Sequence, residues 1–480
     1  MSTETKMNTE PKGNSGMSVT MKRAITLIGL VLLYFILAKL PIPTGLKPEG
    51  QIALALMVVV VLTWVTEAIP IAISSLFFVF IQHVIGIAPM PVAVANFANP
   101  TLLFVISSFF LAIALSESGL SNRMSMKMTV LSKGSPKMVL LYLMMSTALL
   151  STVISDVPAC AAFFTIGLAL LQKNNCKIGF SSFAKSLMIG IPFASLIGGV
   201  ATPAGSSLNV LTLSLLKSTA NIDISFLQWS AVGIPAVIVT IPLAWLILSW
   251  VFPSELDRLV GIEEIQKDLH ALGPVSSKEI KFVIILIVML ITWFTEPFHK
   301  IPLPVTSTIG AALFFLPGID LLTWDAAKNR IGWDGILLIG AASSLGTTLW
   351  KSGGANWLAN MVLGGIADSS SLVMIISVIV FTVLIHLLVP VNPAIVSIMV
   401  PTLVAFAATT GIAPVALVVP MGFTVSAAFL LPLDPVPLIT YPEGYYKMTD
   451  YFKGGAPLCI VWTIVITLVM ILIAQPMRLF

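Results

Sequence analysis

Long apolar runs, cut by short polar or Pro/Gly-rich interruptions, set the pattern of this chain. A run of about 20 apolar residues is the length of a membrane-crossing helix. The first run, Ala24–Leu40, follows Lys22-Arg23 in the manner of a signal peptide. No small-residue cleavage site comes after it and many more apolar runs do, so 22–50 reads as a first transmembrane helix and loop. Residues 1–21, rich in Ser, Thr and Lys, read as a cytosolic tail. Further single spans are expected near 51–66, 69–88, 101–117, 228–252, 282–296, 302–319, 333–350 and 454–477.

Four stretches do not fit single spans. Residues 138–171 are interrupted by Ser155-Asp156-Val157-Pro158, and 371–408 by Pro390-Val391-Asn392-Pro393. Residues 186–216 are broken at Gly198–Gly205, and 415–441 at Leu431–Pro437. Backbone that leaves a helix at membrane depth survives only where protein or a water-filled cavity satisfies it. Four such breaks imply a built site. The first stretch is flanked by Arg123, Lys127, Lys133 and Lys137 before it and Lys173, Lys177 and Lys185 after it. Basic flanks at both ends put both ends in the cytosol, so this segment is expected to enter the membrane and return. With the N-terminus also cytosolic, 19 of the 25 basic residues then lie inside.

A polar segment, 254–281, divides the membrane region and is expected to be a cytosolic linker between 51–253 and 282–477. These two parts resemble each other. Leu62-Thr63-Trp64-Val65-Thr66-Glu67 matches Ile291-Thr292-Trp293-Phe294-Thr295-Glu296 at an offset of 229. Glu117-Ser118-Gly119 matches Lys351-Ser352-Gly353 at 234, Asp156 matches Asn392 at 236, and Gly205 matches Asp434 at 229. An odd number of crossings in the first repeat would turn the second upside down. The expected fold is an all-α polytopic membrane protein of about 11 transmembrane helices, in two inverted repeats with two re-entrant hairpins and two discontinuous helices.

Composition agrees: 57% of residues are hydrophobic and 10% charged, against about 25% charged in soluble domains. That excludes a cytosolic enzyme, a nucleic-acid binder and a secreted scaffold. The net charge of +4 needs no acidic partner, because positive-inside loops explain it. Cys160, Cys176 and Cys459 are too scattered for a disulfide framework or a metal motif, and the four histidines show no ligand spacing. No organic cofactor is expected. Inverted repeats with paired broken helices mark secondary transporters, whose sites use the free ends of the half-helices. Free N–H groups suit an anion and free carbonyls a cation.

At these residues the chain resembles the divalent anion/Na⁺ symporter family, over about 50–475. The carriers are Trp64-Val65-Thr66-Glu67-Ala68-Ile69-Pro70, Glu117-Ser118-Gly119-Leu120, the Gly198-to-Asn209 stretch and the closing Pro-rich break. The resemblance implies transport of dicarboxylates, citrate or sulfate with Na⁺, a homodimer in the cell membrane, and an elevator-type transport domain moving on a scaffold. Family members carry Ser-Asn-Thr at each hairpin tip. These tips map onto Ser155-Asp156-Val157, with Ser151 one turn earlier, and onto Val391-Asn392-Pro393. The resemblance thus implies substrate contacts at Ser155, Asp156, Val157, Ser206, Asn392 and Pro393. It implies Na⁺ ligands at Ser151, Ser155, Asp156, Gly205, Asn392 and Asp434. The chain departs from the pattern. Both Thr positions lack a hydroxyl, Asp156 replaces an amide, Asp434 stands where a small residue is common, and Leu387 offers no hydroxyl.

Acids at membrane depth are costly unless paired, and are functional candidates for that reason. Asp156 and Asp434 could hold Na⁺ or take up a proton, and two ionised acids beside a dianion repel unless cations bind first or together. Asp156 could instead cap the second hairpin arm, with Pro158 in its first turn. Ser206 and Asn209 suit substrate contact or capping, Glu67 and Glu296 a structural role, and His386 packing or a hydrogen bond rather than a proton relay. Met124, Met126 and Met128 with their neighbouring lysines read as an interfacial amphipathic helix. The functional expectation is Na⁺-coupled uptake of a small dianion such as succinate, malate or fumarate. The alternatives are Na⁺-independent dicarboxylate exchange, citrate or sulfate transport, a cation/proton antiporter, and a channel. An enzyme is excluded: Asp156 and Asp434 lack the Gly-x-Gly-Asp setting of intramembrane aspartyl proteases.

Overall fold

The computed structural model describes residues 19–479, so the tail expected over 1–21 lies almost wholly outside them. Helix accounts for the regular structure of the described residues. A chain in lipid must satisfy its backbone internally, and helices do so within each segment. The first part runs α1 (Val19–Lys39), α2 (Pro48–Thr66), α3 (Ile71–Val84), α4 (Met90–Phe97), α5 (Pro100–Ser118), α6 (Leu120–Leu131), α7 (Pro136–Ile154), α8 (Asp156–Lys173), α9 (Ser182–Gly199), α10 (Ser207–Ala220), α11 (Phe226–Val251) and α12 (Ile262–Ala271). The second runs α13 (Ser277–Phe294), α14 (Glu296–His299), α15 (Leu303–Leu313), α16 (Trp324–Lys328), α17 (Trp333–Lys351), α18 (Gly354–Leu363), α19 (Ser371–Ile385), α20 (Asn392–Thr410), α21 (Pro414–Val425) and α22 (Met448–Val469). Among the described residues, nine helices are long and apolar enough to cross a membrane, or ten if the bent pair 354–366 and 371–385 is one span. Three further apolar helices, α3, α15 and α21, are shorter than that length.

Local chemistry sets the helix ends. Asn99 caps α5 by accepting from the Thr101 N–H, and Ser181 caps α9 through Ala184 N–H. Ser225 with Gln228 and Ser276 with Glu279 form capping boxes at the starts of α11 and α13. The helices pack in a pattern that survives exchange of the two parts. α5 lies on α13 and α15, and α17 lies on α2 and α3. α9 packs on α7 and α8, as α21 packs on α19 and α20. Pro192 and Pro420 lie inside α9 and α21 at matching places.

One expectation needs amendment. The second break does not resume as an α-helix: after α21 come only the short 3₁₀ turns Pro437–Ile439 and Tyr441–Glu443. Pro432, Pro435, Pro437 and Pro442 each lack an N–H and disfavour a helical neighbour, whereas the first break holds one proline, Pro203, and α10 follows it. In α6 the buried stripe is Ser121, Ser125 and Thr129, and Met124, Met126 and Met128 are half-buried beside it. Ser125 and Thr129 donate to the carbonyls of Ser121 and Ser125 at 2.8 and 2.9 Å, so these small side chains pack without leaving a hydroxyl unpaired.

Candidate functional site

Both interrupted helix pairs and both breaks converge on one cavity of about 490 Å³. Between α7 and α8 the chain turns at Ser155, whose φ of 77° is a strained value for a residue with a Cβ. That turn starts α8 at Asp156 instead of continuing α7. Asp156 is therefore the first residue of α8 and Ser155 the one before it, so Asp156 is not the cap itself. Its Oδ1 accepts from Ser155 Oγ at 3.1 Å and from the Val157 N–H at 3.0 Å, and its Oδ2 accepts from Ser206 Oγ at 3.2 Å. Ser206 also caps α10 by accepting from the Leu208 N–H.

Across the cavity, Asn392 opens α20 and donates through Nδ2 to Asp434 Oδ2 at 2.6 Å. Asp434 Oδ1 accepts the Val436 N–H at 2.9 Å. Among the described residues the Asn392 Oδ1 is buried without a partner. Both aspartates are buried, and Ser155, Asp156, Val157, Ser206, Asn392, Pro393 and Asp434 all line the cavity. Glu67 lines it too, and among the described residues no Lys, Arg or His does. A site walled by three carboxylates and no fixed cation attracts cations and repels a bare anion.

Ser151 and Gly205 lie behind this wall. Ser151 Oγ donates to the Ser195 carbonyl at 2.7 Å, and Ser195 Oγ donates to the Asp156 carbonyl at 2.5 Å, which ties α7, α8 and α9 together. At Gly205 a Cβ would sit 2.4 Å from the Gly199 oxygen and 2.9 Å from the Ser151 oxygen. Only glycine lets three backbone segments approach this closely, and the approach gathers carbonyl oxygens beside Asp156. Oxygen ligands of this kind suit an alkali cation.

The breaks leave backbone groups to satisfy, and each part supplies side chains for them. Asn209 Nδ2 donates to the Gly199 and Thr202 carbonyls, both at 2.8 Å, and its Oδ1 is buried without a partner. Trp229 of α11 donates to the Val200 carbonyl at 3.0 Å. In the second part Trp462 of α22 donates to Thr424 Oγ1 at 3.2 Å, and Tyr451 donates to the Ala428 carbonyl at 2.9 Å. His386 places Nδ1 2.7 Å from the Thr382 carbonyl and Nε2 2.8 Å from that of Val425, which ties α19 to the end of α21. Leu387 contributes apolar surface beside Asn392 and Asp434 in a smaller adjoining cavity.

Sequence reasoning missed Trp64 and Glu67 as cavity residues. The repeat match between Glu67 and Glu296 hid their difference. Glu296 accepts the Phe226 N–H at 3.4 Å, whereas Glu67 is exposed at a left-handed turn with φ 46°. Lining by Phe109, Gly332 and Gly335 brings α5 and α17 to the cavity as well.

A solved structure, MtrF of Neisseria gonorrhoeae, matches with a TM-score of 0.56 at 14% identity, covering 95% of this chain and 96% of that one. The YdaH transporter of Alcanivorax borkumensis matches with a TM-score of 0.56 at 13% identity, covering 94% and 97%. At those identities the likeness is one of fold. The sodium-dependent dicarboxylate transporter SdcS of Staphylococcus saprophyticus is 27% identical over 94% of this chain and 92% of its own length. SdcS of Staphylococcus aureus is 28% identical over 92% and 90%. A membrane protein of Cupriavidus necator is 25% identical over 91% and 89%. The model of the sodium:sulfate symporter transmembrane region matches residues 21–479, and the chain accordingly belongs to that family of multi-pass membrane transporters.

Proposed function

We propose that this protein is a secondary transporter that couples Na⁺ entry to uptake of a small dianion, with a C4-dicarboxylate such as succinate, malate or fumarate as substrate. One observation carries the reading. Two breaks from the two parts bring Asp156 and Asp434 to one cavity with hydroxyl and amide groups beside them and no basic residue in the wall. A dianion entering there needs cations already bound, and the carboxylates, with the carbonyls around Gly205, are the groups to hold them. Na⁺ would sit among Ser151, Ser155, Asp156 and Gly205 on one side and Asn392 and Asp434 on the other. Substrate would meet Ser155, Asp156, Val157, Ser206, Asn392 and Pro393. The sodium dependence and dicarboxylate substrates of the staphylococcal relatives support this assignment.

The same reading includes the architecture. The segments 51–253 and 282–477 act as inverted repeats joined by a cytosolic linker at 254–281, consistent with a packing pattern that survives their exchange. The pairs α7–α8 and α19–α20 enter the membrane from opposite sides as re-entrant hairpins, and with α9–α11, α21 and α22 form a transport domain that moves as an elevator on the rest. The chain works as a homodimer in the cell membrane with a cytosolic N-terminus.

The test is uptake of labelled succinate by proteoliposomes, with an inward Na⁺ gradient or with internal succinate alone. Uptake driven by the Na⁺ gradient is the expected result. Uptake that needs internal substrate and ignores Na⁺ would replace symport by exchange. Transport of sulfate or citrate but not succinate would overturn the substrate assignment.

A further inference from the structure

A second cavity lies apart from the substrate site, between α2 on one side and α19 and α20 on the other, with α18 and the end of α17 beside it. Its volume is about 370 Å³, within the range that holds a small-molecule ligand. Leu54, Met57 and Val61 of α2 face Phe381 of α19, Met399 of α20 and Leu358 of α18. The polar side chain in this wall is Thr402, and its hydroxyl already donates to the Ile398 carbonyl at 2.6 Å. The groove therefore offers an occupant no hydrogen-bond donor, and the Thr402 oxygen is its one side-chain acceptor. Water or a polar solute would lose its own partners on entering, so the occupant must be apolar along this length.

One end of the groove is charged. Leu54 lies beside Gly354 at the start of α18, where a Cβ on that glycine would be 3.3 Å from Leu54 Cγ. At the same end Lys47 lies beside Gly353, with Cδ 3.7 Å from the position of a Cβ there, and Lys351 closes α17 two residues earlier. The end of α1 joins them. Gln51 Nε2 donates to the Leu37 and Leu40 carbonyls at 2.9 and 2.8 Å, and this brings Lys39 to the first turns of α2. All three lysines are exposed and stand outside the ion pairs of the described residues. Glu49, in the first turn of α2, is the acid among them, so this end is net positive.

We propose that this groove is a binding site for an anionic phospholipid, with one acyl chain lying along α2 from Leu54 to Leu62 and the phosphate headgroup held by Lys39, Lys47 and Lys351. Over those eight residues α2 rises about 12 Å, a length that suits part of an acyl chain and sets the headgroup at the helix end. Apolar walls select the chain, and the lysines select the charge. The pair α19–α20 that forms one wall also carries Asn392, so the lipid would lie against an element of the substrate site.

The test is native mass spectrometry of the full chain titrated with phosphatidylglycerol or with phosphatidylcholine. The expected result is one tightly held phosphatidylglycerol, preferred over phosphatidylcholine. Lys47→Gln with Lys351→Gln should weaken phosphatidylglycerol by about fivefold for each lysine neutralised while leaving phosphatidylcholine unchanged. Leu358→Trp should fill the groove and abolish retention of both; Val362→Trp, at the exposed rim, serves if that variant fails to fold. Equal retention of the two lipids by the unaltered protein would overturn the proposal, and so would undiminished binding to both groove-filling variants. A Val58→Cys cross-link between two chains that excludes lipid would assign the groove to a second copy instead.

Discussion

Replacing Asp434 by asparagine separates its charge from its hydrogen bonds. In the native protein the carboxylate accepts from Asn392 Nδ2 at 2.6 Å and from the Val436 N–H at 2.9 Å. In Asp434→Asn the new carbonyl can still accept from Val436. The new NH₂ can donate to Asn392 Oδ1, which is buried without a partner and needs only a turn of its amide to receive it. Two hydrogen bonds remain, one of them reversed, and Asn392 Nδ2 takes the place of Oδ1 as its unpartnered atom, so the fold should be nearly as stable. The charge does not survive. Two unit charges about 4 Å apart interact by about 4 kcal/mol at an effective dielectric constant near 20. Even a third of that, about 1.4 kcal/mol, is a tenfold change in affinity. Sodium activation of uptake by Asp434→Asn should therefore need at least about tenfold more Na⁺, with a melting temperature close to the native one. Asp434→Ala should lose the same Na⁺ affinity and also strand Asn392 Nδ2 and the Val436 N–H, at about 1–3 kcal/mol for each buried group. Unchanged Na⁺ activation in Asp434→Asn would refute the reasoning, and equal melting temperatures for the two variants would refute its hydrogen-bond half.

Other perturbations probe the remaining parts of the site. Gly205→Ala would push a methyl to 2.4 Å from the Gly199 oxygen; the strain of about 1–3 kcal/mol should weaken Na⁺ activation by tenfold or so, measured by the same uptake assay. Ser206→Ala removes both the cap of α10 and a donor to Asp156, and should lower stability by about 1 kcal/mol in a thermal melt while raising the Na⁺ requirement. Outside the membrane, burial acts against the Glu255 carboxylate, but the Ser181 hydroxyl and the Phe183 N–H donate to it and hold its pKa below the usual carboxylate range. A lowered folded-state value contributes stability that is present above the unfolded-state pKa and is lost as pH falls through the folded one. The melting temperature should thus fall on acidification below about pH 4 less steeply in Glu255→Gln than in the native protein.

The positions of the breaks were legible because they rest on local chemistry. Pro158 after Ser155-Asp156, the glycines before Pro203 and the Pro390-x-Asn392-Pro393 run each suit a helix end or start. The apolar spans were legible for a similar reason, since lipid demands long uninterrupted helices. What the sequence hid depends on distant contacts. The exposed turn at Glu67 and the bonded position of Glu296 share one local sequence pattern, and only their neighbours differ. The side chains that meet the carbonyls at the breaks, Trp229, Tyr451 and His386, come from other helices and have no spacing signal. α4, α16 and α18 are too short to show a span-length apolar run. Leu431–Pro437 reads as an interruption within one helix, but its three prolines with Pro442 leave only 3₁₀ turns before α22.

The most direct test of the account is the affinity of the purified protein for succinate in Na⁺ and in an equal concentration of choline, measured by calorimetry. A cavity walled by Asp156, Asp434 and Glu67 with no basic residue should bind the dianion at least about tenfold more tightly in Na⁺, because the cation must cancel charge before the dianion enters. Equal affinity in the two salts would contradict the claim that cations bound at these carboxylates create the anion site.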